Sequence, residues 1–61
     1  MTAADIYAAG YAIPSYNVIT GVYTWRYRDE NITTIGLPPT HSLPGVKFNV
    51  CKIETVRKWT Q

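Results

Sequence analysis

The chain has very few of the groups that cross-link or activate a small protein. Its 61 residues include one cysteine, one histidine and four carboxylates. Cys51 cannot form a disulfide within the chain, and His41 alone cannot build a zinc site. The carboxylates are scattered, whereas catalysis needs a paired acid and base or a nucleophile beside a base. We therefore predict a protein that is not an enzyme and uses no metal or cofactor.

Long apolar runs are also missing. No stretch approaches the roughly 20 residues that cross a bilayer, and the alanine-rich start has no basic segment typical of a signal peptide. We expect an intracellular, cytoplasmic protein with no membrane partner. The length allows a single domain, residues 1–61, and a domain of this size buries only about 60% of its unfolded surface. A partner, including a second copy, is therefore expected to add burial.

Aromatic residues are plentiful, with two Trp, five Tyr and one Phe. Residues 22–35 show the alternation of a β-hairpin, which places three rings on one face and two guanidinium groups on the other. The rings belong to Tyr23, Trp25 and Tyr27, and the guanidinium groups to Arg26 and Arg28. Turn chemistry at residues 29–31 predicts a return strand from Ile32 to Ile35.

The segment before the hairpin is predicted to add a strand and a short helix. The residues from Tyr16 to Thr20 favour a strand, and Gly21 indicates a bulge or tight bend. Pro14 marks a boundary whether the residues before it form a helix or an extended segment. At the amino terminus, Thr2 can cap a short helix that Gly10 ends. An extended segment over residues 7–13 is the alternative.

The segment after the hairpin is predicted to contain a loop and a helix. Residues 36–45 hold three prolines and two glycines, which is typical of a loop. A short strand follows at residues 46–48, and Asn49 is a credible N-cap for a helix. That helix has an apolar stripe, formed by Val50, Ile53, Val56 and Trp59. Cys51 on or beside it is expected to be a buried apolar group.

Together these elements predict an α+β domain in which a small three-stranded antiparallel sheet packs on a carboxy-terminal amphipathic helix. The rings of the hairpin would then meet the apolar stripe of the helix. An exposed aromatic face that stacks single-stranded bases is the alternative assignment.

The charge is small but unevenly distributed. The net charge is +2, and all six basic residues lie after residue 25. Two-stranded ribbons fit the DNA major groove, so we predict DNA contacts by the basic sheet face and by the basic side of the helix. The candidate residues are Arg26, Arg28, Lys47, Lys52, Thr55, Arg57 and Lys58.

The run from Gly21 to Asp29, with Thr34 to Leu37, resembles the amino-terminal arm-site-binding domain of phage and transposon integrases. That resemblance implies a three-stranded sheet that packs on one helix and lies in the major groove of DNA.

The run from Lys52 to Trp59 resembles the recognition helix of phage excisionases and related winged-helix proteins. This second resemblance implies that Thr55, Arg57 and Lys58 face DNA while Ile53, Val56 and Trp59 pack inward. A winged-helix fold, with residues 18–31 as the helix-turn-helix, is the alternative architecture.

The leading functional hypothesis is a small double-stranded-DNA-binding protein of phage or mobile-element recombination or regulation. The alternative is a non-enzymatic interaction or structural module, such as a small phage-type protein that docks its hairpin edge or helix on a protein partner. Unpaired strand edges suit such docking, and either function is compatible with a homo-oligomer.

Overall fold

The computed structural model describes residues 1–60 and has two short helices and a four-stranded antiparallel sheet. The elements in chain order are α1 (Ala3–Ala8), β1 (Tyr11–Asn17), β2 (Val22–Tyr27), β3 (Glu30–Ile35), β4 (Cys51–Lys52) and α2 (Ile53–Trp59). The strands are arranged β3-β2-β1-β4 across the sheet. The predicted α+β class is confirmed, with β4 as an additional strand. Within residues 1–60, neither helix has the length and apolar character needed to cross a membrane.

The helix α1 begins and ends as the sequence predicts. The Thr2 hydroxyl accepts the Asp5 backbone N–H at 3.3 Å, and the Asp5 carboxylate accepts the Thr2 backbone N–H at 3.1 Å. This reciprocal capping box satisfies two backbone donors, and the bonds from Thr2 lower the pKa of the Asp5 carboxyl. Gly10 ends the helix with φ +85°, a conformation that glycine adopts without steric cost.

Strand β1 runs through Pro14, so the predicted boundary there is wrong. The predicted strand from Tyr16 to Thr20 is confirmed only for Tyr16 and Asn17, which belong to β1. The two-residue loop between β2 and β3 makes Tyr27 and Glu30 a hydrogen-bonded pair, and such pairs recur at every second residue. It follows that the backbone N–H and C=O groups of Val22, Thr24 and Arg26 point towards β1. The backbone nitrogen of Pro14 points away from β2. Because β4 pairs only with Tyr11 and Ala12, the missing N–H of Pro14 breaks no ladder bond.

A turn at residues 18–21 replaces the second half of the predicted first strand. The Asn17 side-chain oxygen accepts the N–H groups of Ile19 at 2.9 Å and Thr20 at 3.3 Å. Gly21 donates to the Asn17 carbonyl at 2.8 Å and has φ +73°. The asparagine side chain thus stabilises a turn where β-branched residues alone favour a strand. The predicted bend at Gly21 is confirmed.

The hairpin of β2 and β3 is confirmed, but its turn lies at Arg28 and Asp29 rather than at residues 29–31. Arg28 has φ +54°, and a positive φ at the first of two loop residues suits the right-handed twist of the strands. Glu30 already pairs with Tyr27 in the ladder. Residues 18–31 are therefore strands and turns, and the winged-helix alternative, which needs helices there, is wrong.

The helix α2 begins at Ile53, four residues after the predicted N-cap. Asn49 instead accepts a hydrogen bond from the Ser42 hydroxyl at 2.9 Å. Val50 pairs with His41 across the connecting loop, and Cys51 continues as β4 beside Ala12. This pairing with the edge of β1 overrides the helical pattern, and residues 46–48 form no strand.

The face of the sheet that carries Trp25 is the core face. Ala12, Trp25, Cys51 and Val56 form its buried cluster, against which four partly buried side chains pack: Tyr23, Tyr27, Ile32 and Ile53. The predicted packing of the hairpin rings against the terminal helix is confirmed for this cluster. Trp59, the last member of the predicted stripe, remains 44% exposed.

A hydrogen-bond chain anchors the centre of the core face. The indole N–H of Trp25 donates to the Thr34 hydroxyl at 2.9 Å, and that hydroxyl donates to the Gly36 carbonyl at 3.0 Å. Trp25 is fully buried and Thr34 is only 2% exposed. The chain satisfies the one polar group of the largest core side chain and fixes the start of the proline-rich loop.

Replacing Thr34 with valine should destabilise the fold, because the shape is retained while the buried indole N–H loses its acceptor. We expect Thr34→Val to lower the free energy of unfolding by about 1–3 kcal/mol. The measurement is urea unfolding followed by tryptophan fluorescence. Thr20→Val, at an exposed position in the turn at residues 18–21, is the matched control and should change the stability by less than about 0.5 kcal/mol. Equal losses of stability in the two variants would contradict the stabilising role of the hydrogen bonds that join Trp25, Thr34 and Gly36.

Candidate nucleic-acid interface

The opposite side of the sheet, here called the outer face, is the candidate site. Its members follow from the strand register, since cross-strand partners share a face. They are Tyr11, Ile13, Ser15 and Asn17 on β1, Val22, Thr24 and Arg26 on β2, Asn31, Thr33 and Ile35 on β3, and Lys52 on β4. The helix α2 packs on the core face, so it does not cover the outer face. The exposed residues of the outer face include Ser15, Arg26, Thr33 and Lys52.

The outer face is polar and positively charged. Arg26 lies near its centre opposite Ile13, and Lys52 lies at its β4 side opposite Tyr11. Strand spacing and rise place the Cα atoms of these two residues roughly 12 Å apart. None of the outer-face residues carries a carboxylate, while several carry hydroxyl or amide groups. The face therefore offers cations and hydrogen-bonding groups and carries no carboxylate of its own.

The four carboxylates lie elsewhere. Asp5 is engaged in the capping box of α1, and Asp29 sits in the hairpin turn. Glu30 pairs with Arg57 of α2, with 2.7 Å between the guanidinium nitrogen and the carboxylate oxygen. Glu54 lies in the first turn of α2. The positive field of the outer face thus results from where the fold places the acids rather than from a large net charge.

Arg28 does not share a strand with Arg26, which corrects the predicted arrangement of two arginines two apart on one strand. It lies in the turn, with its guanidinium carbon 5.4 Å from the centre of the Tyr27 ring. Contact with Tyr27, followed by attraction to Asp29, raises the pKa of Arg28. Arg28 therefore provides a charge at the tip of the hairpin, beside the outer face rather than on it.

The predicted helix residues lie on the other side of the sheet. The helix α2 packs on the core face through Val56 and Ile53, so its exposed side points away from Arg26. Thr55 is half-buried and Lys58 is exposed, while Arg57 is held by Glu30. One surface of a duplex cannot contact both sets at once. The structure therefore divides the predicted interface into a sheet set and a helix set.

Lys47 and Lys52 also lie in different parts of the structure. Lys47 is exposed in the loop before β4. The helical pattern of the sequence predicts Lys52 on the basic side of the helix, whereas the structure places it in β4 and on the outer face. The hydroxyl and amide members of the face, such as Ser15 and Asn31, were not identified from sequence. Alternation in β1 could have identified Ser15 only if the strand had been continued through Pro14.

Residues 1–60 contain no group of three or more histidine, cysteine or acidic side chains placed to hold a metal ion. His41 is exposed and lies edge-on to the Tyr11 ring at 5.6 Å. A shallow depression between the end of α1 and the start of α2 is lined by Gly10, Lys52 and Glu54 among others.

The thiol of Cys51 is buried, and it donates a weak hydrogen bond to the Lys52 carbonyl at 3.5 Å. Burial raises the pKa of this thiol, because the thiolate is poorly solvated in an apolar environment. A raised pKa disfavours the nucleophilic form. The predicted apolar role of Cys51 is confirmed by its place in the core cluster.

Native Cys51 should react with a thiol reagent far more slowly than the unfolded chain at the same pH. The free energy of unfolding should be constant below the unfolded thiol pKa of about 8.5 and fall as the pH rises above it, because only the unfolded state readily loses the proton. Unfolding measured between pH 7 and 9.5 checks this, and Cys51→Ala, although less stable overall, should lack that decline. Equal reactivity in the native and unfolded states would contradict burial of the thiol.

No protein-family model, curated protein or solved structure matches the chain. The function is therefore inferred from the geometry of its own residues.

Proposed function

We propose that this protein is a double-stranded-DNA-binding domain that lays the outer face of its sheet in the major groove. The observation that carries the proposal is the charge distribution over the two sheet faces. The core face is filled by Trp25 and α2, whereas the open outer face carries Arg26 and Lys52 and no carboxylate. Phosphate contacts by such cations supply most of the affinity of a non-specific DNA complex.

The dimensions of the face support this mode of binding. Strands β1 to β3 span two inter-strand spacings, or roughly 10 Å, and the major groove is about 12 Å wide. Arginine and asparagine side chains can bind guanine and adenine edges in bidentate fashion. Arg26 and Asn31 are direct cross-strand partners on this face. They are the residues best placed to read bases, while Lys52 and Arg28 lie where the backbone of the duplex would pass.

The resemblance of the hairpin to integrase arm-site-binding domains supports the same arrangement, since it implies a three-stranded sheet with the helix on the opposite face. The role that we propose follows from that resemblance: recognition of DNA in phage or mobile-element recombination or regulation, in the cytoplasm of a host cell. Binding through α2, as in an excisionase, receives less support because Arg57 is paired with Glu30 and Thr55 is half-buried.

A protein-binding module is the second candidate function. Val18 and Ile19 at the β1–β2 turn are 81% and 91% exposed, and Ile35 at the adjacent end of β3 is 86% exposed. Isolated exposed apolar residues are common, but several at one end of a sheet are a feature of interaction surfaces. A net charge of only +2 also favours this alternative.

Removing a cation from the outer face should weaken DNA binding. We expect Arg26→Ala and Lys52→Ala each to reduce the affinity for a 20-base-pair duplex by about tenfold at low salt. Lys52→Ala, which removes a phosphate contact, should also reduce the magnitude of the salt slope by about 0.9. Fluorescence anisotropy at several salt concentrations measures both effects.

Lys58→Ala is the matched control, because Lys58 is an exposed cation on the opposite side of the sheet. It removes the same net charge and should change the affinity by less than about twofold if the outer face is the interface. No binding by the unmodified protein, a salt-independent affinity, or an equal loss in Lys58→Ala would contradict the proposal.

A further inference from the structure

The two edges of the sheet differ in how they are protected. On the β1 side, β4 covers part of the edge, Pro14 presents no donor, and the bridge between His41 and Val50 extends the pairing. On the other side, β3 is an edge strand of six residues, ENITTI. It contains no proline, lysine or glycine, and such unprotected edges are templates for pairing with another strand.

The hydrogen-bonding groups on the β3 edge can be identified from the register. Tyr27 and Glu30 close the two-residue loop as a hydrogen-bonded pair, so the pairs that include Ile32 and Thr34 are hydrogen-bonded as well. The remaining residues of β3 turn their backbone N–H and C=O groups outward, and these are Asn31, Thr33 and Ile35. Within residues 1–60, no backbone hydrogen bond from a loop or turn reaches them.

We propose that a second copy of this chain pairs with the β3 edge, antiparallel and about a twofold axis at Thr33. In this register, Thr33 lies opposite the partner's Thr33, and Asn31 lies opposite the partner's Ile35. Every outward-facing residue then meets another outward-facing residue, and the three pairs exchange six backbone hydrogen bonds. Slipping the register by two residues keeps only two of these pairs within the strands, so the symmetric register is preferred.

The side chains of β3 suit this register. A threonine pair across the axis is among the favourable cross-strand combinations, and Ile35, now 86% exposed, gains a neighbour on the outer face. On the core face, half-buried Ile32 meets the partner's Thr34. The two Glu30 carboxylates lie at opposite ends of the paired strands, roughly 20 Å apart, so they do not repel strongly.

The β3 edge is complementary to itself, which favours a second copy related by a twofold axis over a strand of another protein. A closed twofold interface requires the same patch to serve both copies, and residues 31–35 satisfy that requirement in backbone pattern and side chains. The small core of the chain adds a reason, since few large apolar residues are fully buried. This dimer does not depend on the DNA-binding proposal.

The test measures self-association without DNA. Sedimentation velocity over a concentration series should show a reversible monomer–dimer equilibrium. Amide hydrogen exchange should become slower with rising concentration at Asn31, Thr33 and Ile35. The amides of Ile32 and Thr34, already bonded to β2, should change much less. This alternation distinguishes edge pairing from contacts made only by side chains.

Thr33→Lys places two ammonium groups across the axis and should raise the dimer dissociation constant by at least about fivefold. Ser15→Lys is the matched control. Ser15 and Thr33 flank the same residue, Thr24, on the outer face, so both variants add equal charge beside Arg26. Ser15→Lys should leave the dissociation constant within about twofold.

Three results would overturn the proposal. The first is a monomer at all concentrations, including concentrations at which the protein binds DNA. The second is a dimer in which the amides of residues 31, 33 and 35 exchange as in the monomer, which would place the interface on another surface. The third is an equal effect of Thr33→Lys and Ser15→Lys.

Discussion

The hydrogen bond from the Trp25 indole to Thr34 is the constraint on which the rest of the structure depends. Trp25 is fully buried, and its N–H would carry a substantial desolvation cost without an acceptor. In the observed register of β2 and β3, Thr34 and Ile32 lie on the core face with Trp25. A slip of one residue would move Ile32 to the outer face and place Asn31 on the core face. The bond to Trp25 and the burial of Ile32 thus together determine which side chains are buried and which remain accessible.

The division between the core face and the outer face also explains why the candidate functional site is a surface rather than a cavity. The described residues form a small buried cluster around Trp25, and the depression lined by Gly10, Lys52 and Glu54 is open to solvent. The helix α2 packs against the core face, and Arg57 pairs with Glu30 at the start of β3. Arg26 and Lys52 are left on the outer face, which carries no carboxylate of its own, although the net charge is small.

Sequence patterns predicted the features that depend on local chemistry. The capping box at Thr2, the aromatic alternation of β2 and the bend at Gly21 are each specified by residues close in the chain. The errors arose where distant pairing decides. Pro14 lies within a strand because β4 is too short to need its N–H, and Asn49 loses its expected capping role because Val50 pairs with His41. For the same reason, the position of Lys52 on the sheet could not be read from the helical pattern around it.

The open face and the unprotected edge belong to the same sheet, which links the two proposed interactions. One copy offers only a few cations to a duplex, and each phosphate contact contributes modestly and is weakened by salt. Pairing at β3 would make the two outer faces continuous, with the Arg26 residues of the two copies roughly 20 Å apart. Strands β1 to β3 of both copies would span roughly 24 Å, about twice the width of the major groove, so the second copy would reach phosphates outside the groove that the first copy occupies. Its cations would gain from a high effective concentration there. The edge can therefore supply affinity that the small charge of a single copy does not, while each interaction remains physically independent of the other.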